Sequence, residues 1–162
     1  MPPYSEIVTA RNKAKQQYEA AFHLLHATYP VVKDPKLLIG VVHNLVQAFE
    51  YSIDAMLAYE RHLRLIPPYS TDSKLKLNIF RAKTMRRNKI PASYATLLLD
   101  LKELVELQKK CPVEFQRGNK YVLCNKSYQL KSISLNDIKS YLDETKEFLQ
   151  LSDKIMRLNR KE

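Results

Sequence analysis

Apolar side chains recur at every third or fourth position over most of the chain, which is the spacing of one face of an α-helix. Prolines and capping residues divide this pattern into segments, and Pro30 is expected to end the first of them. The second segment has the widest apolar face, as is typical of the central helix of a bundle. The pattern predicts helices over about 5–29, 35–66, 73–88, 93–110 and 134–158.

A change of period after the fourth predicted helix indicates a small β structure. Residues 113–117 and 120–124 are rich in strand-forming side chains and flank Gly118-Asn119, a pair suited to a tight hairpin turn. Residues 128–133 offer a third strand. The fifth helix follows directly, so this β segment would be an insertion between two helices.

The chain has 162 residues and is 45% hydrophobic, which fits one domain over residues 1–162 with a buried core. We expect a mainly α fold, a five-helix bundle with a small β-hairpin or three-strand meander at about 113–133 between helices four and five. The chain has only 2 glycines, whereas P-loops and dinucleotide-binding loops need several close together. Such nucleotide-binding motifs are therefore excluded, and no cofactor is indicated.

Nothing in the sequence indicates a membrane or secreted protein. The longest charge-free apolar stretch is 37–49, which is shorter than the roughly 20 residues of a membrane-spanning helix. No basic segment followed by an apolar run opens the chain. Cys111 and Cys124 are too few for a disulfide framework. The predicted hairpin register brings them close enough for one disulfide, whereas two free thiols are the expectation for an intracellular protein. We therefore expect a cytoplasmic protein that does not contact membranes.

The formal net charge of +10 is concentrated in the middle of the chain. Residues 1–72 carry seven basic and seven acidic side chains, and residues 134–162 carry six of each. Residues 73–99 carry seven basic side chains and no acidic one, and residues 100–133 carry seven against four. An ordinary solvated surface mixes both signs. The basic middle therefore predicts an anionic partner, RNA or a ribonucleoprotein.

This basic region supplies the candidate nucleic-acid-binding residues. They are Lys74, Lys76, Arg81, Lys83, Arg86, Arg87, Lys89, Arg117, Lys120 and Lys126. In the hairpin the cations are interleaved with Phe115, Tyr121 and Tyr128, and exposed aromatic rings would stack on bases. Alternatively, these rings pack the hairpin against the bundle.

A second candidate site is a row of polar residues along the predicted central helix. His43, Gln47, Glu50 and Asp54 recur at steps of four and three, and two carboxylates one turn apart can bind a metal or transfer protons. An amphipathic helix also needs a polar side, which explains the same row without any chemistry. The histidine pair of the first helix lacks the further ligands that a metal site needs, so no metal is assigned.

The central segment, residues 43–61, resembles a core helix of the HEPN superfamily of small helical bundles. It carries Gln, Ala and Glu at similar steps, and a proline-containing loop follows it. Catalytic members have an Arg followed five to seven residues later by His. No Arg precedes any of the 4 histidines at that distance here, although Arg87-Asn88 matches the opening pair. The resemblance implies a non-catalytic member, and a small archaeal-type helical family is the alternative.

These patterns favour a non-enzymatic binding protein that docks on RNA or a ribonucleoprotein through residues 73–133. The first alternative is a protein–protein interaction module built on the apolar second helix, either HEPN-like, antitoxin-like or a helical homodimer. The second alternative is a metal-dependent nuclease or hydrolase that uses Glu50 and Asp54.

Overall fold

The computed structural model describes residues 4–110, 113–117, 120–124 and 130–158, with the backbone alone for 113–116. Over these residues the predicted mainly α fold is confirmed, with five helices and a β insertion before the last one. The elements are α1 (Tyr4–His23, continued by a π turn at Leu24–Thr28 and a last turn at Tyr29–Val32), α2 (Lys36–His62), α3 (Ser73–Ile79, continued by a π turn at Phe80–Thr84 and a last turn at Met85–Asn88), α4 (Ser93–Lys110), β1 (Val113–Arg117), β2 (Lys120–Cys124), β3 (Leu130–Ser134) and α5 (Leu135–Ile155). Within the described ranges, no helix is both long and apolar enough to cross a membrane.

Helix α2 lies at the centre of the bundle and contacts α1, α4 and α5. Its wide apolar face is buried along the length of the helix, as the pattern predicts for a central helix. The ring of Phe148 in α5 lies at the middle of an aromatic cluster. Its centroid is 4.6 Å from that of Phe49, 6.3 Å from that of Phe80 and 5.3 Å from that of Tyr94. One side chain of α5 therefore contacts α2, α3 and α4 together.

The three strands form an antiparallel meander in the order β1-β2-β3. Arg117 pairs with Lys120 and Val113 with Cys124, which is the register of the predicted tight hairpin. Strand β2 faces the bundle, and the side chain of Tyr121 is only 3% exposed within the main core. Tyr121 therefore holds the sheet against the helices and does not offer a ring for base stacking.

Helix α1 does not end at Pro30, so that prediction is wrong. The helix widens into the π turn at Leu24–Thr28 and continues to Val32, after which Lys33 adopts a left-handed conformation with φ 57°. A proline breaks a regular α-helix because its ring clashes with the carbonyl one turn back and its N–H is missing. A π turn shifts the hydrogen-bond pattern by one residue, which accommodates both defects.

Four positions of the described chain have a positive φ without being glycine, and all four are basic: Lys33 (57°), Arg64 (59°), Lys89 (53°) and Arg157 (58°). Each follows a helix, at the position where glycine is the usual residue because it has no Cβ. Two of the predicted helices are shorter than expected as a result. Helix α2 ends at His62 instead of Ile66, and α5 ends at Ile155 instead of Leu158.

A capping box begins α5 and gives the first testable prediction. Ser134 Oγ accepts a hydrogen bond from the backbone N–H of Asp137 at 3.1 Å, and Asp137 Oδ2 accepts one from the N–H of Ser134 at 3.0 Å. We expect Ser134→Ala to lower the free energy of unfolding by about 1 kcal/mol, because an N-terminal N–H of the helix loses its partner. Urea denaturation measures the change. The control is Ser132→Ala, at an exposed position of the same strand; an equal loss in both variants would contradict the capping role.

Candidate nucleic-acid interface

The candidate cations of α3 divide into two groups. Lys76 Nζ lies 2.7 Å from Asp54 Oδ1, and Arg87 Nη1 lies 2.7 Å from Glu60 Oε2, so these two side chains are paired with carboxylates of α2. Their charge is compensated, and they hold α3 against α2. The other five cations of this helix region are exposed and form no ion pair within the described part of the chain: Lys74, Arg81, Lys83, Arg86 and Lys89.

Three of these exposed cations, Arg81, Arg86 and Lys89, line an open groove of about 620 Å³ between α3 and the start of α4. The rest of its lining is uncharged: Asn78, Ala82, Met85, Ile90, Ala92 and Ala95. Of the residues that the structure describes, no carboxylate lines this surface, which we call the basic groove. Since no negative side chain there offsets the three cations, the basic groove has a positive potential that attracts anions.

A Schellman motif at the end of α3 positions Lys89 in the groove. The N–H of Lys89 donates to the carbonyl of Arg86, and the N–H of Ile90 donates to the carbonyl of Met85 at 2.9 Å. Met85 and Ile90 are both buried and make the apolar floor that accompanies this motif. The turn leads into Pro91, which cannot continue the helix. The local sequence therefore fixes the angle at which α3 meets α4.

No family model, curated protein or solved structure matches this chain. The resemblance to HEPN bundles stays a prediction. The side chains of its opening pair, Arg87-Asn88, both bind the carboxylate of Glu60.

The cations of the hairpin do not line the basic groove. Arg117 and Lys120 are exposed and lie opposite each other where β1 and β2 meet the turn. The prediction for Lys126 lies outside the described residues, as do those for Tyr128 and for the side chain of Phe115. The described part of the hairpin thus adds two exposed positive charges on a separate element.

The polar row of α2 is only partly assembled into one site. Gln47, Glu50 and Asp54 line a pocket of about 100 Å³ together with Ser73, Lys76 and Lys102, whereas His43 is exposed and stands apart. Lys102 Nζ lies 2.7 Å from Glu50 Oε1, and Lys76 Nζ lies 2.7 Å from Asp54 Oδ1.

Each carboxylate of this row therefore has its own ammonium partner. No group of three or more His, Cys, Asp or Glu side chains in the described ranges could hold a metal ion. Ser73 Oγ also donates to Glu50 Oε1 at 3.2 Å and accepts from Lys102 Nζ at 3.0 Å. The arrangement joins α2 to α3 and α4, and a lysine compensates the charge of each carboxylate.

A buried carboxylate that the sequence pattern does not single out lies at the end of α2. Glu60 is 2% exposed and accepts hydrogen bonds from Thr84 Oγ1 at 2.5 Å, Arg87 Nη1 at 2.7 Å and Asn88 Nδ2 at 3.3 Å. Arg87 Nη2 also donates to the carbonyl of Leu65 at 3.1 Å. We call these side chains the Glu60 cluster. The place of Glu60 in the sequence indicates its burial, because Glu60 continues the apolar stripe of α2 one turn beyond Met56.

Proposed function

We propose that this protein is a non-enzymatic RNA-binding protein that holds backbone phosphates in the basic groove. The observation that carries the proposal is the triplet Arg81, Arg86 and Lys89, exposed and without a carboxylate among the described residues of the groove lining. The guanidinium groups of Arg81 and Arg86 can each bind phosphate oxygens through two parallel hydrogen bonds, and Lys89 adds a third positive charge. The partner is RNA itself or the RNA of a ribonucleoprotein.

The groove lining supports contact with the phosphate backbone more than recognition of bases. Arg81 and Lys89 are eight positions apart, which corresponds to about 12 Å along a helix and spans more than one phosphate. Among the described residues, the groove lining contains no aromatic ring on which a base could stack. Since phosphate contacts carry no sequence information, binding should depend weakly on RNA sequence.

The apolar face of α2, on which a protein–protein module would have rested, is buried inside the bundle. It is therefore not available for a partner while the fold is intact. Glu50 and Asp54, the carboxylates that the nuclease hypothesis requires, are paired with lysines. Both observations favour the basic groove over the two alternatives.

A salt titration of RNA binding tests the proposal. We expect a fluorescently labelled single-stranded RNA to bind at low salt, with log K falling linearly against log salt concentration at a slope of about −2. That slope follows from roughly three phosphate contacts on a single strand. Fluorescence anisotropy measures the affinity, with poly-glutamate as the competing anion. Absence of RNA binding at low salt would overturn the proposal, and equal displacement by poly-glutamate would replace RNA with an acidic protein partner.

A further inference from the structure

A second concave site lies between α1 and α5, away from the residues of the basic groove. It has a volume of about 190 Å³, and its walls include Tyr18 of α1 and Leu149 of α5. Its floor is made of small residues, Ala14, Ser52 and Ser152, each 2% exposed. We call this site the serine cleft. Small side chains where three helices meet leave the space that larger ones would fill.

The two serines of the cleft floor have hydroxyl groups that find no hydrogen-bond partner among the described residues. Ser52 Oγ and Ser152 Oγ are buried, and neither makes a hydrogen bond within the described structure. Buried hydroxyl groups in folded proteins are nearly always paired, so two unpaired ones on one floor need an explanation. They belong to different helices, α2 and α5, and both line the same space. A ligand with a polar atom at its inner end would satisfy them.

The rim of the serine cleft carries charges that mostly compensate each other. Arg11 donates to both carboxylate oxygens of Asp153, at 3.0 and 2.8 Å, which occupies that acid in a two-pronged pair. Lys15 Nζ lies 4.0 Å from Glu19 Oε1. Lys146 is exposed and has no ion-pair partner in the part of the chain that is described. The rim therefore leaves one ammonium group for an anionic ligand.

We propose that the serine cleft binds a one-ring aromatic acid with an oxygen substituent opposite its carboxylate. The ring lies between Tyr18 and Leu149, the oxygen substituent bonds the hydroxyls of Ser52 and Ser152, and the carboxylate faces Lys146. The size fits, because apolar cavities of about 150 Å³ in proteins accept a benzene ring. Burial of Tyr18 and the nearby Asp143 raise the pKa of its phenol, so the wall beside the ring stays uncharged.

The test uses 4-hydroxybenzoate as the probe and the full chain in a ¹⁵N NMR titration. We expect saturable shifts of the amide signals of Ala14, Ser52 and Ser152. Ser52→Ala and Ser152→Ala should each weaken binding about 3- to 10-fold, as the loss of one hydrogen bond predicts. Lys146→Gln should weaken the binding of 4-hydroxybenzoate about 2- to 5-fold, as the loss of an exposed ion pair predicts, and leave the binding of the uncharged 4-methylphenol unaffected.

The matched control is Lys154→Gln, which removes an exposed charge from α5 outside the cleft lining. It should bind both probes like the parent chain. Lys146 is also exposed, so its variant keeps the test valid if a serine variant fails to fold. The proposal is overturned if millimolar probe leaves the cleft signals unchanged, or if the serine and Lys146 variants bind as tightly as the parent. RNA binding through the basic groove would be unaffected by either result.

Discussion

Replacing Arg87 by methionine is expected to lower the free energy of unfolding by about 3–5 kcal/mol. The substitution keeps most of the side-chain length but leaves the buried carboxylate of Glu60 without its cation, 2.7 Å away in the intact protein. Thr84 and Asn88 still donate to that carboxylate, but neither is charged. An uncompensated charge at a 2% exposed position is costly because water cannot reach it. Urea denaturation followed by circular dichroism measures the loss.

The neighbouring cation provides the matched control for this variant. Arg86 is exposed, lines the basic groove and has no acidic partner among the described residues, so Arg86→Met should change the free energy of unfolding by less than about 0.5 kcal/mol. The double variant with Glu60→Gln should recover part of the loss, because a neutral amide replaces the isolated charge. Equal destabilisation by Arg87→Met and Arg86→Met would contradict the assigned role of the Glu60 cluster.

Reversing the three cations of the basic groove is expected to weaken RNA binding by at least about 100-fold. The variant is Arg81→Glu/Arg86→Glu/Lys89→Glu, and the reason is that three charge-assisted contacts to phosphate become repulsive. All three side chains are exposed, so the bundle should stay folded. Anisotropy with labelled RNA at low salt measures the affinity, and circular dichroism checks the helix content.

A second triple variant separates the groove from the overall charge. Lys15→Glu/Lys139→Glu/Lys154→Glu makes the same change in net charge at exposed positions of α1 and α5. It should weaken binding far less, because distant charges act only through a screened potential. If both triple variants lost affinity equally, RNA would be held by the diffuse positive charge of the chain and the groove would have no special role. Arg87 and Lys76 are left out of the test because they pair with α2.

The helices and the hairpin could be predicted because their signals are local. Apolar spacing, capping residues and a two-residue turn depend on neighbours in the sequence, and the predicted capping box at Ser134 is formed in the structure. The continuation of α1 past Pro30 could not be predicted in this way. It depends on a π turn, which the regular spacing of apolar residues does not reveal.

The candidate site could be predicted from the sequence only in part, for a similar reason. The number of charges in each segment locates the basic region, but it does not show which basic side chains form ion pairs with carboxylates. Lys76 and Asp54 are 22 positions apart, and Arg87 and Glu60 are 27 apart, so only the packing of α3 on α2 brings them together. The serine cleft was missed entirely. Its two hydroxyls belong to α2 and α5, and small polar residues in an apolar stripe give no signal of the space between helices.

At the four basic residues that follow helices, the most stable residue for the backbone conformation is not the one that carries a positive charge. A left-handed conformation costs a residue with a Cβ about 1 kcal/mol or more relative to glycine. Lys89 is one of these residues, and it is also a lining cation of the basic groove. Selection for heat resistance alone would therefore favour glycine there and would erode the groove. If relatives keep a lysine at this position, selection has favoured its positive charge over the extra free energy of unfolding that glycine would provide.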